Sequence, residues 1–306
     1  MNDSKVKAKI GLVLGSGASR GWSHIGVIKT LLREGIEPDI VCGTSVGAMI
    51  GAAYLAGNLQ KLEDWVLAST RTDVYRFFGV KFTQSGLVDS ERMSRFLHDY
   101  VTGEDVRIED LPKKFAAVAT NLENGREVWF QDGNLADAVQ ASMAMPGLFP
   151  AVRIEHRWLV DGGLVNPVPV TTCRALGADI VIAVNLNSDI VGKRSSKHTL
   201  PEAPVKKGVL QSIKKTTKEY SASFFSERDR EEGAPGTFTT ISQSINIFQD
   251  RITRSRLAGD PAEVLILPKL SHIGLLEFHK ADVAIEEGEN CVTKVLDDIH
   301  HAMKLG

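Results

Sequence analysis

The residues with the clearest chemical meaning are a serine between two glycines, in Gly43-Thr44-Ser45-Val46-Gly47. The apolar run Ile40-Val41-Cys42 leads into it, and a small-residue pattern from Val46 to Ala56 follows. Strand, sharp turn and helix in that order form a nucleophile elbow, in which a hydroxyl stands at the head of a helix. The turn is tight, so Gly43 and Gly47 must be small. The positive end of the helix favours negative charge developing on the serine oxygen. The same spacing also occurs at plain glycine-rich packing junctions, so the chemistry needs support elsewhere in the chain.

Two further segments supply it. Ile10 to Leu14 reads as a strand ending in Gly15-Ser16-Gly17-Ala18-Ser19-Arg20-Gly21, with helical apolar spacing at Trp22, Ile25, Ile28, Leu31 and Leu32 beyond it. Backbone amides in such a loop cradle an anion, either a phosphate or the oxyanion of an acyl transfer. A dinucleotide site expects an acid at the carboxyl end of the second strand. Asp39 stands at the amino end instead, which argues against a nicotinamide cofactor. The third segment, Trp158-Leu159-Val160, ends in Asp161-Gly162-Gly163. This is either an ordinary turn aspartate or a carboxylate presented at a strand end, with glycines that let another loop come close.

With Ala141-Ser142-Met143-Ala144-Met145-Pro146-Gly147-Leu148-Phe149-Pro150 added, these motifs resemble the patatin-like phospholipases, in particular the bacterial branch related to neuropathy target esterase. Order and spacing agree across residues 8 to 187 and are weaker over 188 to 240. Ser16 stands where many members carry glycine. The resemblance implies a patatin-like fold and a serine acyl hydrolase acting on lipid esters. It implies a dyad with Ser45 as nucleophile and Asp161 as base, and needs neither cofactor nor metal. The loop residues Gly15, Ser16, Gly17 and Ala18 become the oxyanion and substrate-binding set. Arg20 beside them either bonds loop carbonyls or meets a substrate phosphate, and loss of activity in Arg20→Ala is expected either way. The alternative is a regulatory or interaction protein on the same scaffold with weak catalysis.

No histidine competes for the role of base. His156 on an extended strand would lie about 17 Å from Asp161, and Glu155-His156-Arg157 reads as a hairpin turn. His24 is expected to face outward from its helix in a structural role. His272, His279, His300 and His301 lack paired spacing around a carboxylate cluster, and His98 falls on the polar side of the helix holding Met93, Phe96, Leu97 and Tyr100.

The elements that must position these groups alternate. Strands are expected at Ile10–Leu14, Ile40–Gly43, Phe115–Leu122, Trp158–Val160, Ile180–Leu186 and Val264–Leu267. Helices are expected to start near Gly21, Val46, Glu91, Leu135, Val168 and Lys280. Asn124-Gly125 marks a hairpin. The fold class is therefore α/β, with a largely parallel central sheet flanked by helices, and Gly15, Ser45 and Asp161 all follow strands at their carboxyl ends.

Composition sets the remaining bounds. A net charge of −2 on 306 residues gives no footprint for nucleic acid. Cys42, Cys173 and Cys291 have neither metal spacing nor a pairing pattern, which suits a reducing compartment. Residues 40 to 60 are uncharged, but the elbow divides them into strand and helix. The N-terminus has too short an apolar run for a signal peptide, so a cytoplasmic protein is expected. The chain reads as one domain, 1–306, with a mobile lid or insertion at 188–240. Within that segment Lys193 to Lys218 holds eight Lys or Arg and one acid, Glu202. Residues 193–226 could meet anionic lipid at the inner membrane face.

Overall fold

The computed structural model describes residues 8–73, 90–190 and 237–305. Among these, eight strands form one sheet. Its centre is parallel: β1 (Ile10–Leu14) lies between β2 (Ile40–Thr44) and β7 (Ile180–Val184), with β3 (Lys114–Asn121) beyond β2 and β8 (Val264–Ile266) beyond β7. β4 (Glu127–Phe130) and β6 (Arg157–Asp161) pair antiparallel with β3, and β5 (Val152–Ile154) pairs antiparallel with β6.

The alternation of side chains along each strand explains the layers. Leu12, Leu14, Val41, Ile182 and Val184 join one buried cluster, while Val13, Ile40, Cys42, Val181 and Ala183 join a second. A sheet buried on both faces needs continuously apolar strands, as these are. The first cluster also takes residues of α1 (Ser23–Arg33), α2 (Val46–Leu55), α3 (Leu59–Ala68), α4 (Ser90–Leu97) and α5 (Leu135–Ser142). The second takes residues of α6 (Val170–Ala175) and Leu257 of α7 (Thr237–Gly259). Helices α8 (Ala281–Lys294) and α9 (Leu296–Leu305) close the first face.

β3 organises the site. β4 occupies one of its edges over Ala117–Thr120. β2 pairs with Lys114–Val118 and β6 with Ala119–Asn121, and both ranges overlap that of β4. A strand has only two edges, so β2 and β6 share the other one. They run toward each other, and their carboxyl ends meet head-on, Thr44 opposite Val118 and Asp161 opposite Ala119.

Each expected strand and each expected helix is present, most within a residue or two. The Asn124-Gly125 turn joins β3 to β4, and Glu155 and His156, at φ 47° and 65°, make the turn between β5 and β6. Before α1 the chain makes a 3-10 turn, Ala18–Trp22. The basic segment 193–226 and most of 188–240 lie outside the described residues. No described helix is long and apolar enough to cross a membrane.

Candidate active site

Ser45 connects β2 to α2 with φ 58° and ψ −126°, a left-handed conformation that a side chain rarely adopts and that costs of order 1–3 kcal/mol. The surroundings hold it there. A Cβ on Gly47 would come within 2.0 Å of the Leu14 carbonyl oxygen, and one on Gly43 within 2.4 Å of the Ala48 backbone. Bare glycines therefore let the head of α2 press against the end of β1. Thr44 Oγ1 donates to the Asn166 carbonyl at 2.8 Å, tying the elbow to the turn that follows Gly163.

At the junction of β2 and β6, Ser45 Oγ donates to Asp161 Oδ2 at 2.6 Å. The other carboxylate oxygen, Oδ1, accepts from the Gly163 amide at 2.7 Å. Ser45 is 5% exposed and Asp161 1%. Burial raises the Asp161 carboxyl to about 6, against the hydrogen bonds from Ser45 and Gly163, which favour the charged form. The glycines after Asp161 do admit another segment: a Cβ on Gly163 would sit 2.5 Å from Gln249 Nε2 and 3.2 Å from Ser16 Cβ.

The glycine-rich loop lies beside this pair, and the structure narrows its candidate donors. The Gly15 amide donates to the Val184 carbonyl at 3.1 Å and the Ser16 amide to the Pro167 carbonyl at 2.9 Å. Neither N–H can then serve an oxyanion, because each already completes the backbone pairing of its neighbours. The Gly17 and Ala18 amides have no acceptor among the described residues, and Ala18, at φ 49°, lines the same cleft as Ser45. At the head of α2 the Ala48 and Met49 amides donate to the Ser45 carbonyl, while the Val46 and Gly47 amides have no acceptor among the described residues.

Arg20 and His24 brace this loop from beneath. Arg20 is 2% exposed; its Nε donates to the Gly17 carbonyl at 3.1 Å and its second amino group to Asn246 Oδ1 of α7 at 3.0 Å. Burial lowers its guanidinium to about 10, with Asp189 acting the other way, so it stays charged at neutral pH. Arg20→Ala removes both side-chain bonds, leaving half-buried Asn246 Oδ1 without this donor and the Gly17 carbonyl with only the residue-20 backbone amide at 3.2 Å, at a cost of about 1–3 kcal/mol. Activity is expected to fall equally on neutral and phosphate-bearing esters, with a lower melting temperature. A loss confined to phosphate-bearing esters would point to substrate contact instead.

His24 faces inward, contrary to its expected outward position, because the first turn of α1 is packed beneath the loop. It is fully buried, and its Nε2 donates to the Gly15 carbonyl at 2.8 Å. Burial lowers its imidazole to about 4, leaving it neutral. Asp39 stays at the far edge of the sheet, where its carboxylate accepts from the Ile10 amide at 2.8 Å.

Ser45 opens onto an apolar cleft that the sequence did not reveal as a cleft. Met49, Trp65, Met93, Phe96, Met143, Met145, Leu148 and Phe149 line it, with Trp22 and Phe278. Trp65 and Phe96 pack with ring centres 4.7 Å apart and planes tilted by 56°. Their spacing on α3 and α4 is that of any amphipathic helix, and sequence alone does not distinguish a cleft wall from core. Three polar residues were also missed. Asn246 and Gln249 lie on α7, and Asn187 Nδ2 links Gln249 Oε1 at 3.1 Å to the Ser16 carbonyl at 3.3 Å. Among the described residues no group of three or more His, Cys, Asp or Glu is arranged to hold a metal ion.

A serine at a strand–helix elbow on a layered α/β sheet is an arrangement used by serine hydrolases. The chain belongs to the patatin-like phospholipase family, whose sequence profile matches residues 12–174. An uncharacterized NTE family protein of Mycobacterium tuberculosis is 31% identical to it, over 94% of this chain and 91% of that one. The lysophospholipase nte1 of Emericella nidulans is 33% identical over 58% of this chain but only 12% of its own length. VipD from Legionella pneumophila shares 15% identity at a TM-score of 0.49, covering 95% of this chain and 67% of that one.

Proposed function

We propose that the protein is a serine acyl hydrolase that cleaves carboxylic esters of phospholipids or lysophospholipids, with Ser45 and Asp161 as its dyad. The observation that carries this reading is the 2.6 Å hydrogen bond from Ser45 Oγ to a buried carboxylate at the mouth of an apolar cleft. The names of the family and of the fungal relatives supply the lipid class.

The chemistry follows from the arrangement. An acyl chain lies along the methionine and aromatic side chains, bringing its ester carbonyl to Ser45. Ser45 Oγ attacks the carbonyl carbon while its proton passes to Asp161 Oδ2. The Gly17 and Ala18 amides and the head of α2 stabilise the resulting oxyanion, at about 3 kcal/mol for one such donor. The intermediate collapses, the C–O bond to the alcohol breaks, and the alcohol leaves with the proton from Asp161. Water then gives a proton to Asp161 and attacks the acyl-serine; the C–O bond to Ser45 breaks, the proton returns from Asp161 to Ser45 Oγ, and the fatty acid leaves.

This assignment requires an ionised Asp161. With its carboxyl at about 6, kcat/KM on a soluble short-chain ester is expected to fall about tenfold per pH unit below that value and to level off above it. A profile flat from pH 5 to 8 would exclude Asp161 as the base. The direct test is a fluorescent fluorophosphonate on wild type, Ser45→Ala and Asp161→Asn. Labelling of wild type and its loss in Ser45→Ala is the expected result. A folded wild type that takes no label overturns the reading and favours a scaffold role.

A further inference from the structure

The elbow leaves a backbone group that neither sheet nor helix can serve. Ser45 lies past the end of β2 and ahead of α2, so its own amide has no ladder or helix partner. That amide donates to Ser142 Oγ, the last residue of α5, at 2.9 Å. Ser142 is fully buried, and its hydroxyl donates in turn to the Val118 carbonyl of β3 at 2.6 Å. A serine hydroxyl has one proton. With that proton committed to Val118, only lone pairs face Ser45, and the hydroxyl has one orientation. Two residues further on, the Ala144 carbonyl accepts the amide of Asp161 at 3.0 Å. One short turn thus grips the backbone of both members of the pair, and Met143 and Met145, within and just beyond it, line the cleft.

We infer that Ser142 is a positioning residue for the reaction: its hydroxyl fixes the strained Ser45 in register with Asp161, and the turn from Ser142 to Ala144 sets the geometry of the pair. This rests on the reading of Ser45 as nucleophile. Ser142 touches no substrate atom and acts only through the backbone of Ser45. Its loss lets Ser45 rotate away from the attack geometry. Misplacement by about 1 Å costs roughly 10²-fold in rate, and the cleft wall, hence KM, is left largely as it was.

The test compares Ser142→Ala with the pair Ser142→Thr and Ser142→Val, which have the same shape and differ only in carrying a hydroxyl or a methyl. Each variant is checked by thermal melting, and its sites are titrated with the fluorophosphonate, so that rates are expressed per labelled site. A merely structural role reduces the number of sites, whereas a positioning role reduces the rate at each one. The expected result is a kcat per site lowered about 10–100-fold in the Ala and Val variants, KM changed less than about threefold, and most of the rate regained with Thr. If Ser142→Ala keeps its rate per site within about twofold, or if Thr and Val fall alike, the inference is overturned. If the β-branched pair does not fold, the Ala variant decides alone. If wild type takes no label, the reading of Ser45 fails, and this inference fails with it.

Discussion

Replacing Asp161 with asparagine is expected to lower kcat for ester hydrolysis by roughly 10²–10⁴-fold while making the folded protein more stable at neutral pH. The loss follows because an amide cannot take the proton of Ser45. The gain follows from linkage. The buried carboxyl holds its proton more tightly when folded, at about 6, than an ordinary aspartate does in the unfolded chain. The contribution of a group shifted in this direction is most favourable below the unfolded value and is lost as pH rises through the folded one. Above pH 6 the wild type therefore carries a buried charge costing about 3 kcal/mol at most, which asparagine removes. Thermal melts should show the variant and wild type close together near pH 4 and the variant ahead at pH 7.5. Equal melting temperatures at both pH values would mean that the carboxylate is not destabilised by burial, and undiminished turnover would remove it from the mechanism.

The second large effect is expected at Gly47. The added Cβ of Gly47→Ala would lie 2.0 Å from the Leu14 carbonyl oxygen and 2.8 Å from that of Gly15, both backbone atoms. Neither can turn aside as a flexible side chain could. The head of α2 must lift from β1, taking Ser45 out of reach of Asp161. A loss of roughly 3 kcal/mol in stability and of fluorophosphonate labelling is expected. Gly51, one turn further along α2, is the control. Its added Cβ would meet only side-chain atoms of Val41, Phe115 and Leu14, at 3.0–3.4 Å. Those can shift, and alanine is the better helix former by about 1 kcal/mol, so Gly51→Ala should melt close to wild type and retain labelling. If Gly47→Ala behaves like Gly51→Ala, close packing does not fix the elbow.

The contrast between these two glycines shows which parts of the site the sequence carries. Gly43-x-Ser45-x-Gly47 and Asp161-Gly162-Gly163 were legible because tight backbone approach leaves a local signature of small residues at strand ends. The parallel core was legible because strands covered on both faces must be apolar throughout, as Ile180–Val184 is. The partners of the glycine loop were not legible. That Gly15 and Ser16 give their amides to Val184 and Pro167 is decided by residues more than 150 positions away, and any loop amide looks alike in sequence. Ser142 stood within a stretch already singled out, yet a single buried hydroxyl on a helix carries no pattern that distinguishes it from a surface serine. Helix α7 escaped notice because its inward face carries buried Gln249, Asp250 and Thr253 and half-buried Asn246, so the apolar periodicity that reveals other helices is broken where it meets the candidate site.

The head-on meeting of β2 and β6 along one edge of β3 also orders events in time. Ser45 and Asp161 are separated by 116 positions, and their encounter waits on two strand pairings with β3, one parallel with β2 across the longer intervening segment and one antiparallel with β6. Such non-local pairings form slowly, because the entropy of closing the chain is spent before any contact offsets it. Helix α2, built from neighbouring residues, has no such delay. In refolding, far-ultraviolet helical signal should therefore recover ahead of reactivity toward the probe, and the appearance of a labelled Ser45 should serve as a clock for the completion of the sheet.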